Sequence, residues 1–126
     1  MSYFLERKET LSTPYVLIDE AKGYMKMAGK SFPEKAMEFY RDINDWLESH
    51  LQTEFGKFTF DFAMEYYNSS TYKIIVEAMT KMDKYAGERN KITINWMAPS
   101  DDDIAIESGE DLKEDLSNVD FNLIIE

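Results

Sequence analysis

Between residues 57 and 66 the side chains alternate in character at every step: Phe58, Phe60, Phe62, Met64 and Tyr66 are interleaved with Thr59, Asp61, Ala63 and Glu65. Successive side chains of a strand point to opposite faces, so this period of two predicts a strand with one buried and one mostly polar face. The pattern also constrains the architecture, because a strand covered by helices on both sides reads as continuously apolar. A two-layer domain follows, with helices on one side of a sheet. Residues 91–97 repeat the signal, with Ile92, Ile94 and Trp96 on one face, and residues 121–125 close the chain as a further strand.

The segments between these strands carry helical signals. Tyr15-Val16-Leu17-Ile18-Asp19 and Tyr24-Met25-Lys26-Met27-Ala28 flank Gly23 and read as a hairpin. Ser31-Phe32-Pro33-Glu34 places a hydroxyl three residues before a carboxylate, with proline in the first turn, and predicts a helix start there. In that helix Ala36, Phe39, Tyr40, Ile43, Leu47 and Leu51 step by three or four and form the buried stripe. A second helix follows Asn68-Ser69-Ser70, with Tyr72, Ile75, Val76, Met79, Met82 and Ala86 as its stripe and an end near Gly87. Asp101-Asp102-Asp103 caps a third, whose apolar side takes Ile104, Ala105, Leu112 and Leu116, with Gly109 weakening its middle. The predicted class is α+β in the order ββαβαβαβ, a mixed sheet of about five strands whose later members are parallel through right-handed crossovers, with helices mainly on one face. One domain is expected over 1–126, with residues 1–13 as a loose N-terminal arm.

Lys and Arg total 14 against 25 Asp and Glu, a net charge of −11. That balance opposes a phosphate backbone or an anionic membrane surface, so neither nucleic acid nor membrane is expected as partner. Hydrophobic residues make up 44%, enough to place the charge on the surface of a packed domain rather than along a disordered chain. The absence of cysteine excludes a disulfide framework, thiol catalysis and a thiolate zinc site, and fits a reducing compartment. With no basic region followed by an apolar run from Met1 to Leu11 and no long uninterrupted apolar stretch, a cytoplasmic location is expected. The glycines are isolated and form no phosphate-cradling loop, and there is no Gly-x-Ser-x-Gly or His-Glu-x-x-His pattern. His50, the single histidine, is assigned to the surface or to a helix end. The run Asp101–103 lacks the interrupted ligand spacing of a calcium loop, so no cofactor and no metal are expected. Glu107, Glu110, Asp111, Glu114 and Asp115 read as a solvated helix face. A polar sheet face around Thr59, Asp61, Thr93 and Asn95 leaves a small-molecule-binding or hydrolytic domain as an alternative, with no convergent catalytic set behind it.

Tyr66-Tyr67-Asn68-Ser69-Ser70-Thr71 puts three hydroxyls in a row where a strand turns into a helix. N-capping accounts for such residues. The same place also suits a phosphate, because exposed hydroxyls there adjoin free backbone N–H groups and the positive end of the helix dipole. Lys73, one turn in, is positioned to accompany it.

With this turn, Ser12-Thr13-Pro14, Ser31-Phe32-Pro33-Glu34, Asp45-Trp46-Leu47, Asn95-Trp96, Glu114-Asp115-Leu116 and Phe121-Asn122-Leu123 run through the chain in order. Over about residues 12–125 the sequence resembles the SiaC-type regulatory phosphoproteins, small bacterial proteins similar in architecture to the STAS domains of anti-sigma-factor antagonists. The resemblance implies a non-enzymatic partner-switching regulator in cyclic di-GMP signalling. A cognate serine/threonine kinase phosphorylates the hydroxyl after the asparagine, a phosphatase removes the group, and the unmodified form binds and stimulates an effector, a diguanylate cyclase. Ser69 matches that hydroxyl, a serine where threonine also occurs in the family, with Ser70 and Thr71 as alternatives. Asn68, Ser69, Ser70, Thr71 and Lys73 form the implied partner-binding turn. An anti-sigma-factor antagonist working through the same turn is the runner-up.

Overall fold

Among the described residues six strands lie side by side in the order of the chain: β1 (Phe4–Arg7), β2 (Tyr15–Asp19), β3 (Tyr24–Ser31), β4 (Gly56–Tyr67), β5 (Asn90–Ala98) and β6 (Asp120–Ile125). The computed structural model describes residues 2–126. The first three strands pair antiparallel, and β3 to β6 are parallel neighbours. Each parallel crossover carries a helix: α1 (Ala36–Leu51), α2 (Ser69–Tyr85) and α3 (Asp103–Asp115).

The hairpin turn is a single 3-10 turn, Glu20–Lys22, closed by Gly23 at φ 61. A Cβ at Gly23 would collide with the carbonyl oxygen of Lys57, so both the left-handed backbone and the close approach of β4 require glycine. On the inner sheet face Val16, Ile18, Met25, Met27, Phe58, Phe60, Phe62, Ile92, Ile94 and Trp96 are each at most 2% exposed. They join Tyr40, Leu47, Leu51, Ile75, Met79, Met82 and Leu112 from the helices in one core. Thr59, Asp61, Ala63, Thr93 and Asn95 are only half-buried on the opposite face, as the alternation requires. Among the described residues no helix is long and apolar enough to cross a membrane.

Four expectations are corrected. Residues 4–7 of the expected loose arm form β1, paired with Val16 to Asp19, so the sheet has six strands rather than about five. Four residues alternating in exposure carry little apolar signal, and the strand exists because β2 offers it an edge. The helix predicted to open at Ser31 begins at Ala36, behind Lys35, which makes no side-chain cap. Ser31 instead ends β3, because its hydroxyl is engaged in the interior by Tyr40 and Thr71. Tyr66, expected on the buried face, is 52% exposed. The β3 to β4 register steps from Gly29 opposite Met64 to Lys30 opposite Tyr66, leaving Glu65 unpaired. This bulge reverses which later residues face inward. Ile104, expected on the apolar side of α3, is 76% exposed.

Gly109 packs α3 onto the sheet rather than merely loosening the helix: a Cβ there would lie 2.7 Å from Trp96 Cδ1 and 2.7 Å from Leu123 Cδ1. Trp96 completes the contact by donating its indole N–H to the Ala105 carbonyl at 2.9 Å.

Candidate functional site

The strand-to-helix turn is built around Asn68. Its side-chain oxygen accepts the Thr71 N–H at 2.9 Å, and its carbonyl accepts the Tyr72 N–H at 3.0 Å, the first bond of α2. Its own N–H donates to the Ser31 carbonyl at 3.0 Å, which ties the turn to the end of β3. The N–H groups of Ser69 and Ser70 precede the first intrahelical bond and lie at the positive end of the helix dipole. No acidic residue stands in the first turn of α2 to occupy that field.

The three hydroxyls of the turn are not equivalent. Ser69 and Ser70 are exposed, whereas Thr71 is completely buried. Thr71 Oγ1 lies 2.8 Å from Ser31 Oγ, and Ser31 Oγ lies 2.7 Å from Tyr40 Oη. Three elements, β3, α1 and α2, thus meet at a closed set of hydroxyls. Burial pushes the Tyr40 phenol up to about 12, with the Ser31 and Thr71 bonds opposing it. Tyr67, turned inward by the bulge, stacks on Tyr72 at 5.8 Å between ring centroids and packs against Phe62 and Trp96. Burial raises its phenol to about 12 as well.

Ser70 and Lys73 line a groove between α1 and α2 with Lys35, Met37, Arg41 and Ile74. Ser70 and Lys73 therefore share one groove and Ser69 is exposed at the helix start next to Ser70, while Thr71 acts from inside. Ser31 and Tyr40 were not singled out from the sequence as partners of the turn. Ser31 reads there as a helix cap and Tyr40 as one more stripe residue, and only the pairing of β3 with β4 brings them to Thr71.

The other candidates find ordinary structural partners. Asp102 Oδ1 caps α3 by accepting the Ala105 N–H at 3.0 Å, and among the described residues no group of three or more His, Cys, Asp or Glu is gathered to hold a metal ion. Glu107, Glu110, Asp111, Glu114 and Asp115 are exposed along α3. On the open sheet face Asp61 accepts the Tyr24 hydroxyl at 2.6 Å and the Asn95 amide at 2.8 Å, and Asn95 in turn accepts the Asn122 amide at 3.0 Å. Both oxygens of Asp61 are committed to neighbouring strands. His50 lies in the last turn of α1, but its side chain is only 9% exposed. It stacks on Trp46 at 4.6 Å, with Nδ1 3.6 Å from Glu20, whose carboxylate also accepts the Trp46 indole N–H at 2.9 Å.

The model of the SiaC family of regulatory phosphoproteins matches residues 7–126. An uncharacterized protein of Pseudomonas aeruginosa strain UCBPP-PA14 is 25% identical over 108 residues, 86% of each chain. SiaC of Pseudomonas aeruginosa superimposes with a TM-score of 0.85 at 25% identity, covering 98% of this chain and 99% of that one. A chain from the crystal structure of the diguanylate cyclase SiaD in complex with its activator SiaC, also from Pseudomonas aeruginosa, gives 0.87 at 25% identity over 97% and 99%. Apo-SiaC from the same organism gives 0.73 at 26% identity over 98% of each chain.

Proposed function

The chain belongs to the SiaC family of regulatory phosphoproteins, and from that premise we propose that it is a non-enzymatic partner switch whose phosphoacceptor is Ser69. A serine/threonine kinase adds the group and a phosphatase removes it. The unmodified protein binds and stimulates a diguanylate cyclase; in support, the similar chain SiaC is the activator in complex with the diguanylate cyclase SiaD.

The observation that carries this reading is the contrast within the turn. Ser69 is exposed at the first position of α2, whereas the Thr71 hydroxyl is enclosed and shared with Ser31. Phosphorylation adds about −1.5 to −2 charges at neutral pH. At Ser69 that charge sits at the helix N-terminus, with the Ser69 and Ser70 N–H groups beside it and the Lys73 side chain one turn on, so the fold has no reason to open. A partner lying over the turn would instead have to desolvate the dianion, which is unfavourable by several kcal/mol without a cation in the interface.

The test is fragment mapping of the protein after incubation with its kinase, using the parent chain, Ser69→Ala and Ser70→Ala. Phosphate is expected on Ser69, retained in Ser70→Ala and lost in Ser69→Ala. Phosphate confined to residues 8–13, or retained in Ser69→Ala, contradicts the assignment.

A further inference from the structure

Two aromatic side chains stand out of the surface immediately beside the turn. Phe32 is 39% and Tyr66 52% exposed, and their rings meet edge to face with centroids 5.9 Å apart. Neither position is accidental. Tyr66 faces outward because the bulge at Glu65 reverses the end of β4, and the same reversal sends Tyr67 into the core. Phe32 is the first residue after β3 and is held by its N–H bond to the Ser12 carbonyl at 2.8 Å. Bulges are found where a strand must re-aim a side chain, at a local cost in pairing. Here the residue re-aimed into water is a large aromatic, and it lies against a second one.

We propose that the Phe32–Tyr66 pair is the apolar anchor by which the effector enzyme docks on the unphosphorylated protein. The inference rests on the switch described above and adds the surface that the partner reads. Distance supplies the link. Three residues of chain span at most about 11 Å, which bounds the separation of Tyr66 from Ser69. Phe32 adjoins Ser31, whose carbonyl holds the Asn68 N–H at 3.0 Å. A stable complex covers about 800 Å² on each partner, a disc roughly 16 Å in radius. A protein that seats on the Ser69 turn and extends over the adjoining ends of β3 and β4 is wide enough to cover both rings. Aromatic side chains in such positions carry a disproportionate share of binding energy, because they bury much area at little cost in conformational freedom. The matching surface on the partner is an apolar recess able to take two rings, set next to the position of the Ser69 hydroxyl. Phosphate at Ser69 then acts by forcing a dianion into the rim of that recess.

The experiment uses the source organism's diguanylate cyclases, each purified singly and titrated calorimetrically with the parent chain, its Ser69-phosphorylated form, Phe32→Ala, Tyr66→Ala and Phe4→Ala. Phe4 is 61% exposed on the far edge strand and pairs with Asp19, away from the turn, so it controls for loss of any exposed aromatic. Circular dichroism checks each fold, with Phe32→Gln and Tyr66→Gln replacing an alanine variant that fails to fold. The expected result is at least about tenfold weaker binding for each Phe32 and Tyr66 variant and unchanged binding for Phe4→Ala. Parent binding abolished by phosphorylation but unchanged in both aromatic variants overturns the anchor and leaves the switch standing. Parent binding indifferent to phosphorylation overturns the switch, and the anchor with it.

Discussion

The Ser31 hydroxyl lies 2.8 Å from the Thr71 hydroxyl across a separation of 40 residues, and both side chains are completely buried. With the Tyr40 hydroxyl 2.7 Å from Ser31, this contact locks the first turn of α2 to β3 and α1. It leaves Ser69 and Ser70 as the accessible hydroxyls of the turn.

Removing one hydroxyl from that set should therefore cost stability. Thr71→Val keeps the shape but leaves Ser31 short of a partner in the interior, a loss of about 1–2 kcal/mol. The expected outcome is a melting temperature several degrees lower by circular dichroism, with a smaller drop in Thr71→Ser, which keeps the hydroxyl and gives up one buried methyl. A melting temperature unchanged in Thr71→Val would show that the buried bond contributes nothing.

Gly109→Ala tests the seat of α3. The added methyl meets Trp96 and Leu123 at 2.7 Å, and the indole cannot move away without giving up its bond to the Ala105 carbonyl. Overpacking of this kind costs about 1–3 kcal/mol. Urea denaturation should show a lower midpoint, whereas a midpoint raised by the gain in helix propensity would mean that the interface has slack.

The acid side of the stability profile should depend on His50. Desolvation by burial holds its imidazole below its ordinary value of 6.5, although the Glu20 carboxylate 3.6 Å away acts in the opposite sense. The folded protein thus keeps His50 neutral where the unfolded chain already takes up a proton. Stability is full above about pH 6.5 and falls as the pH drops from there to the lowered folded value. Glu20 is itself held below its ordinary 4.5, chiefly by the Trp46 hydrogen bond, so its contribution is lost only at lower pH. Urea midpoints at about pH 7.5 and about pH 5.5 should differ in the parent and converge in His50→Phe, which keeps the stacking on Trp46. An equal difference in the variant would assign the effect to other groups.

The strands and helices that bury a regular stripe were legible from the sequence, because periods of two and of three to four map directly onto a face. The alternation of Phe58, Phe60 and Phe62 even specified that helices cover one side of the sheet. What escaped were features settled by non-local partners. β1 has almost no pattern of its own and exists by pairing with β2. Ser31-Phe32-Pro33-Glu34 satisfies the local grammar of a helix cap, yet the interior captured the Ser31 hydroxyl and moved the helix start to Ala36. Tyr66 continued the alternation in sequence, and a single unpaired residue, Glu65, turned it outward. At the site, the Asn68 cap and the exposed Ser69 followed from local rules, while the burial of Thr71 required knowing which strand end packs against it.

Calorimetric titration of the purified effector against unmodified and Ser69-phosphorylated protein, with circular dichroism of both forms, decides whether phosphate on Ser69 changes the surface and not the fold. A dianion placed in the interface without a cation is unfavourable by several kcal/mol, so affinity should fall about 100-fold or more while the two spectra superimpose, and Ser69→Ala should bind like the unmodified chain. Equal affinities for the two forms, or a spectrum that collapses on phosphorylation, would rule out a surface switch at Ser69.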